Sequence, residues 1–420
     1  MIDLKKIDGP LGIPIYHQRM PDMVKSVAMS WIVFSGSADD TRIGSPGLHH
    51  WFEHVPFRGT KKYPGGYSDI QGPFTKWGGE INAWTNYLAT SFWANVHTRV
   101  WRDALSVITD LMSEPLLTDE GIDAEREIIG QEIRGSLASI SGRIQQELPG
   151  ILWSGHPLGH GILGNYESLE SMSHQVLRRA HRESYDKSRC ALLFVGNVSE
   201  ADVVEELERI SEIIPNNGLS ERRKTVDYSP FPMWQNGQVT IRETEHKSSI
   251  VRMLFPVSNE IDTVRRYARW AAIENLFDFG QLSSPLLKTV REERRLVYNT
   301  SAGSLLLPNG GYFKLTAMTE RAKVDAVVEA FRDVIRSKEV KSSGRLQEIQ
   351  EGKRCAVDMQ SISPGSFLSI ASQRYLDCGS MVSDRDYLNL LSTITLEEIE
   401  GWIQDLSRGN EHVVIFKGMG

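Results

Sequence analysis

Cysteine is scarce in this chain: three among 420 residues (Cys190, Cys355, Cys378), far apart and without a C-x-x-C pair. That excludes a disulfide framework and a thiolate metal site, and all three read as buried small hydrophobes. No run of about 18 apolar residues occurs, which excludes an ordinary membrane-spanning helix. The N-terminal MIDLKKIDGPLGIPIYHQRM has no apolar stretch behind Lys5-Lys6, so it does not read as a signal peptide. Positive charge is short as well. Lys and Arg number 47 against 54 Asp and Glu, for a net charge of −7, and they form no basic stripe. Nucleic acid is therefore not an expected partner, nor is a membrane, and a cytoplasmic location fits best.

What is there is enough chain for two hydrophobic cores, since one core stops growing at roughly 250–300 residues. The chain also repeats itself. Lys25-Ser26-Val27 opens the apolar run VAMSWIVF, and Lys247-Ser248-Ser249 opens IVRMLFPV. Later, ALLFVGNV (Ala191 to Val198) parallels VVIFKGMG (Val413 to Gly420). Lys25 to Lys247 and Gly196 to Gly418 are both 222 residues apart, which points to a duplicated domain rather than to two coincidences between short strands. Apolar spacing predicts helices over 100–113, 119–143 and 171–184. The Pro-, Asn- and Gly-bearing segment from Ile214 to Gly237 lacks periodicity and reads as a linker between domains 1–213 and 238–420. Strands and helices mixed without strict alternation predict an α+β fold used twice.

Ser45-Pro46-Gly47 reads as a helix start, with Ser45 as N-cap and Pro46 in the first turn. The helix then carries Leu48-His49-His50-Trp51-Phe52-Glu53-His54. His50 and His54 are four apart and project from one face, where they can share a cation at about 2.0–2.1 Å from each ring nitrogen. Glu53 lies on the flank, where a carboxylate can act on water without joining the ligand set. This is H-x-x-E-H, the reverse of the commoner zinc helix H-E-x-x-H. With 11 His in the chain, a chance match is on the order of 2%. A His-rich surface or core helix is the plain alternative.

A third ligand is available on a second helical stretch, Glu125-Arg126-Glu127-Ile128-Ile129-Gly130-Gln131-Glu132-Ile133, 78 residues past His54 at Glu132. Glu125 and Glu132 are seven apart, two turns along one face. Two His and one Glu, with a fourth position left open, is a usual catalytic zinc set. Without the His pair, this acidic helix would read as a solvated face.

With these residues in place, the sequence resembles the pitrilysin family of zinc peptidases, and within it the half-length members similar to the mitochondrial processing peptidase. The resemblance runs over the whole chain and rests on Gly47 to Thr60 (GLHHWFEHVPFRGT) and on the acidic helix. It implies two homologous domains, each an antiparallel-rich sheet packed with helices, forming half of a clamshell. It implies one zinc ion held by His50, His54 and Glu132, Glu53 as general base, and Glu125 as an assisting carboxylate. Gly79, Asn82, Ala83 and Trp84 look like the family's edge strand, which pairs with an extended peptide substrate. Arg291 and Tyr298 resemble an Arg/Tyr pair that reaches the active site from the opposite half. The implied working unit is a homodimer, or a heterodimer with a related chain.

Shifted by 222, His50, Glu53, His54 and Glu132 fall on Ala272, Asn275, Leu276 and Arg354, so the second domain is expected to keep the fold without the metal. Pro56 departs from the family pattern and predicts that the helix kinks or ends there. His49 points about 100° away from His50 and reads as a non-ligand. His156 and His160 flank Pro157 and Gly159 and read as structural loop residues. Trp51, Trp77, Trp84 and Trp93 read as half-buried packing near the cleft. Two alternatives to a general peptidase remain: a non-catalytic structural subunit of the same fold, and a protease dedicated to maturing one peptide.

Overall fold

The repeated apolar runs form the middles of two sheets. In the computed structural model, which describes residues 1–216, 237–257, 262–280, 283–308, 310–360, 363–408 and 411–420, the first sheet contains β1 (Lys5–Ile7), β2 (Ile15–Arg19), β3 (Ser26–Val33), β4 (Glu80–Thr85), β5 (Thr90–His97) and β6 (Cys190–Gly196). Their spatial order is β1-β2-β6-β3-β5-β4. The second contains β7 (Gln238–Glu243), β8 (Ser249–Pro256), β9 (Val297–Leu307), β10 (Gly310–Thr319) and β11 (His412–Lys417), ordered β7-β11-β8-β10-β9. Residues 217–236, most of the expected linker, lie outside the described residues.

Apart from the extra strand β1, the two orders are the same, and so are the directions. β2–β6 and β7–β11 are parallel, and the remaining pairs are antiparallel. Ala28 pairs with Val195 and Ile250 with Phe416, so the central ladder recurs at offsets of 222 residues on one strand and 221 on the other. The duplication read from sequence is therefore a duplication of hydrogen-bond register. It is an α+β architecture built twice.

Helices recur in the same order. The first half supplies α1 (Leu48–His54), α2 (Trp101–Ser113), α3 (Asp119–Leu137) and α4 (Ile140–Leu152). The second supplies α5 (Thr263–Asp278), α6 (Val324–Arg336), α7 (Ser343–Asp358) and α8 (Pro364–Cys378). The expected single helix over 119–143 is two, because the chain breaks at Ala138-Ser139 and restarts with the Ser139 hydroxyl accepting from Gly142 N at 3.0 Å. The expected helix over 171–184 is confined to His174–Ser184, preceded by a separate turn at Tyr166–Ser171. Cys355 is exposed, so the reading of all three cysteines as buried holds only for Cys190 and Cys378.

Each sheet packs one face against its own half's helices, giving one core within residues 7–214 and another within 251–415. The other faces are covered reciprocally. α4 of the first half lays Ile144, Leu148 and Leu152 on Ile250, Leu254 and Val414 of the second sheet. α8 of the second half lays Phe367, Ala371 and Tyr375 on Ala28, Ile32 and Leu193 of the first. Each half lends a helix to its neighbour. No helix among the described residues is long and apolar enough to cross a membrane.

Candidate metal centre

α1 is short and apolar on its inner side: Leu48, Trp51 and Phe52 enter the first core. This anchoring turns His50, Glu53 and His54 toward the end of β4. The helix start is not capped by Ser45. Gly47 occupies the cap position with φ +87, a left-handed conformation suited to glycine, and buried Asp40 accepts from Gly47 N at 2.7 Å and His49 N at 3.0 Å. Asp40 also bonds His49 Nδ1 at 2.6 Å, while His49 Nε2 meets Ser35 Oγ at 2.8 Å. Both ring nitrogens of His49 are thereby engaged away from the site. Pro56 does what its chemistry requires: α1 stops at His54, and the chain passes into a 3-10 turn over Val55–Arg58.

His50 and His54 place their rings 4.7 Å apart. Glu132, from the middle of α3, brings Oε2 to 3.4 Å from His50 Nε2 and 3.5 Å from His54 Nε2. Two corners of a tetrahedron with arms of about 2.0–2.1 Å are roughly 3.3–3.4 Å apart. The Glu132 oxygen therefore stands from each imidazole nitrogen at about the spacing of two zinc ligands, and the chemistry of the set (two imidazoles and one carboxylate) suits that ion. The donor atoms of His50, Glu53 and His54 also lie within 4.8 Å of one another, so two carboxylates compete for the third place. Burial lifts the Glu53 carboxyl to about 7, against the opposing pull of His54 and of hydrogen bonding with Thr85. Both carboxylates therefore stand within reach of the imidazole pair, Glu53 from α1 and Glu132 from α3.

Protonation of the two imidazoles is set differently. Burial, with the neighbouring His54, pushes His50 down to about 3, so it is neutral and able to offer a lone pair. Burial would lower His54 too, but its hydrogen bond with Glu125 and the charges of Glu132, Glu125 and Glu53 raise it. Glu125 is fully buried, and burial pushes its carboxyl up. Hydrogen bonds with His54 and Arg58 more than offset that, leaving it ionised. An ionised carboxylate only accepts, so His54 Nδ1, 3.0 Å from Glu125 Oε2, must donate. That leaves Nε2 facing Glu132 and His50. Among the described residues His50 Nδ1 has no such partner.

Thr85 fastens α1 to the sheet, its hydroxyl donating to His49 O at 3.1 Å. It ends β4, the outer strand of the first sheet. Asn82, Ala83 and Trp84 lie on β4 and Gly79 just before it. The outward backbone groups of this edge are held by side chains: Gln71 donates to Ile81 O at 3.1 Å, and Asn82 Oδ1 accepts from Ala83 N at 2.9 Å. Trp84 is half-buried and lines a cavity, Trp93 on β5 is half-buried, Trp51 is core and Trp77 is 55% exposed. Leu158 N donates to His156 Nδ1 and His160 Nδ1 meets Gly161 O, both in loop.

His50, Glu53 and Trp84 line a cavity of about 640 Å³ whose far wall comes from the second half, through Arg252, Tyr312 and Lys314. Arg291 and Tyr298 are not in that wall. Arg291 lies on a π-helical turn over Lys288–Glu293, with its guanidinium 5.3 Å from the Tyr298 ring. Tyr298 opens β9, is 85% exposed, and borders a separate cavity of about 610 Å³. At the repeat-related place on α5, Ala272 and Leu276 are core residues, and Asn275 bonds back to Ala271 O. Sequence reasoning passed over Asp40, Arg58, Thr85, Arg252 and Lys314. Arg58 lay inside the quoted metal-helix stretch and Arg252 inside the repeated run IVRMLFPV, but their neighbours in the site are set by the tertiary fold.

Residues 21–165 match a family model described as Insulinase (Peptidase family M16), and residues 171–351 match one described as Peptidase M16 inactive domain. An "Uncharacterized zinc protease" of Rickettsia bellii is 23% identical over 92% of this chain and 91% of its own length. The "Mitochondrial-processing peptidase subunit beta" of Blastocladiella emersonii is 25% identical over 47% of this chain and 42% of its own. The fold is like that of a solved structure described as a protease from Helicobacter pylori, with a TM-score of 0.85, 17% identity and coverage of 99% of both chains.

Proposed function

This chain belongs to peptidase family M16, and from that premise we propose that it is a zinc-dependent endopeptidase acting on peptides or unfolded segments. The observation that carries the reading is the convergence of His50 Nε2, His54 Nε2 and Glu132 Oε2 at 3.4 and 3.5 Å. Those three residues would hold one zinc ion. When bound, zinc supplies a Lewis acid that polarises the scissile carbonyl and makes nearby water easier to deprotonate.

The remaining work falls to the chain's own groups. Glu53, with a carboxyl lifted to about 7, takes a proton from the attacking water near neutral pH and returns it to the leaving nitrogen. Glu125 keeps the His54 ring turned and its Nδ1 protonated. β4 receives an extended substrate along its free edge, with Asn82 and Gln71 giving way to peptide backbone and Gly79, Ala83 and Trp84 beside it. Because Tyr298 is exposed and stands off its own metal cavity, Arg291 and Tyr298 would serve the site of a partner chain, stabilising charge on the reacting carbonyl oxygen. A homodimer is the simplest assembly, since one chain carries both the metal residues and the pair. Nothing in this scheme requires a membrane or nucleic acid, and a cytoplasmic location is part of the proposal.

The test is to count zinc per chain and assay a quenched peptide library with the parent and Glu53→Gln. One zinc in each, activity in the parent and a loss of at least about a hundredfold in the variant are expected. Equal activity in both removes Glu53 as the base.

A further inference from the structure

The wall facing Glu53 across the cavity is unusual for a sheet face that is otherwise packed. On β8 and β10 the side chains pointing toward α4 include Ile250, Leu254 and Tyr312, all in one apolar cluster. Arg252 and Lys314 share that face. Arg252 pairs with Thr316 and Leu254 with Lys314, which makes the two cations diagonal neighbours. Two like charges side by side in a half-buried apolar wall are costly unless an anion answers them.

Among the described residues, neither Arg252 nor Lys314 forms an ion pair, and Arg252 Nε has no hydrogen-bond partner. The only acid of α4, Glu147, is held by Arg143 on the same helix at 2.7 Å. Glu274 of α5 acts on Lys314 only through its field; its own carboxyl is raised by burial and bonded to Ser304. Burial and the charge of Arg252 bring Lys314 down to about 8, although the field of Glu274 opposes them and its ammonium lies 5.9 Å from the centre of the Tyr312 ring. A third donor, buried Gln146 Nε2, also lines the cavity and also lacks a partner.

We propose that Arg252, Lys314 and Gln146 form a subsite for a carboxylate of the bound peptide, in the same cavity as His50 and Glu53. The carboxylate belongs either to an Asp or Glu side chain or to the peptide C-terminus. The inference rests on the peptidase reading, because it assigns the anion to that site's substrate. A guanidinium recognises a carboxylate by paired hydrogen bonds, and a neighbouring ammonium adds a point charge.

The experiment uses zinc-loaded Glu53→Gln protein, which reads binding without turnover. Four decapeptides with one common fluorescent label are compared by anisotropy: central Glu or central Gln, each with a free or an amidated C-terminus. The expected result is about tenfold tighter binding of the carboxylate bearer over its neutral counterpart. The Glu/Gln arm reports a side chain, and the acid/amide arm reports a terminus. Adding Arg252→Gln or Lys314→Met should shrink the preference to twofold or less, while Arg252→Lys, which keeps the charge but loses the paired hydrogen bonds, should retain only part of it. Equal affinity for all four peptides, or a preference untouched by both variants, overturns the subsite. Because no catalysis is read, a failure of the parent to cleave any peptide would sink the hydrolytic reading alone.

Discussion

Replacing Glu125 by Gln tests how the site is held. The carboxylate is fully buried, accepts from His54 Nδ1 at 3.0 Å, and meets the Arg58 guanidinium on its other oxygen. An amide has one oxygen, so it can satisfy His54 or Arg58 but not both. If its NH₂ faces His54, two donors oppose each other and the ring turns or changes tautomer. Losing such a partner typically costs ten- to a hundredfold in metal affinity, about 1.4–2.7 kcal/mol. The metal-free protein should also lose about 2 kcal/mol, the size of one charged hydrogen bond lost in a buried place, moderated because Arg58 is 29% exposed and can turn to water. For a domain near 200 residues that is a melting shift of roughly 4–8 °C. Competition against a chelating dye measures the first quantity, and thermal unfolding of the apoprotein measures the second. Arg58→Gln is the control: it should lower stability with a smaller change in zinc affinity. If Glu125→Gln kept wild-type zinc affinity while losing stability, Glu125 would only pack, and the argument for a fixed His54 tautomer would fail.

Three further outcomes are expected. Mixing inactive Glu53→Gln and Tyr298→Phe chains in equal amounts should restore about a quarter of parental activity if one protomer serves its partner's site, because half the dimers are mixed and each of those has one intact site; no recovery after subunit exchange refutes sharing. Ala83→Pro removes an N–H that faces away from β5, so the ladder should survive with zinc content unchanged while KM for extended peptides rises about tenfold; an unchanged KM would show that the edge is not used. Burial lifts the Asp377 carboxyl to about 7, so the folded state holds a proton that the unfolded chain releases near pH 4, and stability falls as pH rises between those values. Asp377→Asn should then gain about 2 kcal/mol at pH 8, with the gain shrinking toward pH 4, by urea unfolding; a gain independent of pH contradicts the assignment.

How much of this was legible in the residue string depended on the range of the interaction. His50 and His54 share a face because helical geometry is local, and Pro56 ends α1 by a rule reaching four residues. The duplication was legible because repeated strands carry repeated apolar patterns, even though the ladder shows offsets of 222 and 221 where one offset of 222 was expected. The cap of α1 was misread because Ser45-Pro46 satisfies the local rule while Asp40, folded back from seven residues upstream, takes the Gly47 amide instead. Helix 119–143 was read as one because Ser139 breaks it by capping, a hydrogen bond that hydrophobic spacing does not register. Arg252 and Lys314 look like ordinary strand residues with one charge each; only the sheet register sets them side by side, and only α4 closes the cavity over them.

The lending of α4 and α8 carries a consequence for ancestry. A single ancestral copy of this unit, folded alone, would have left one sheet face bare and one apolar helix without a seat. It would have needed a twin, each clasping the other. The fused gene thus preserves an old handshake between two identical molecules. The second hand needs only its grip: where the first carries His50 and His54 it carries Ala272 and Leu276, packed in its own core.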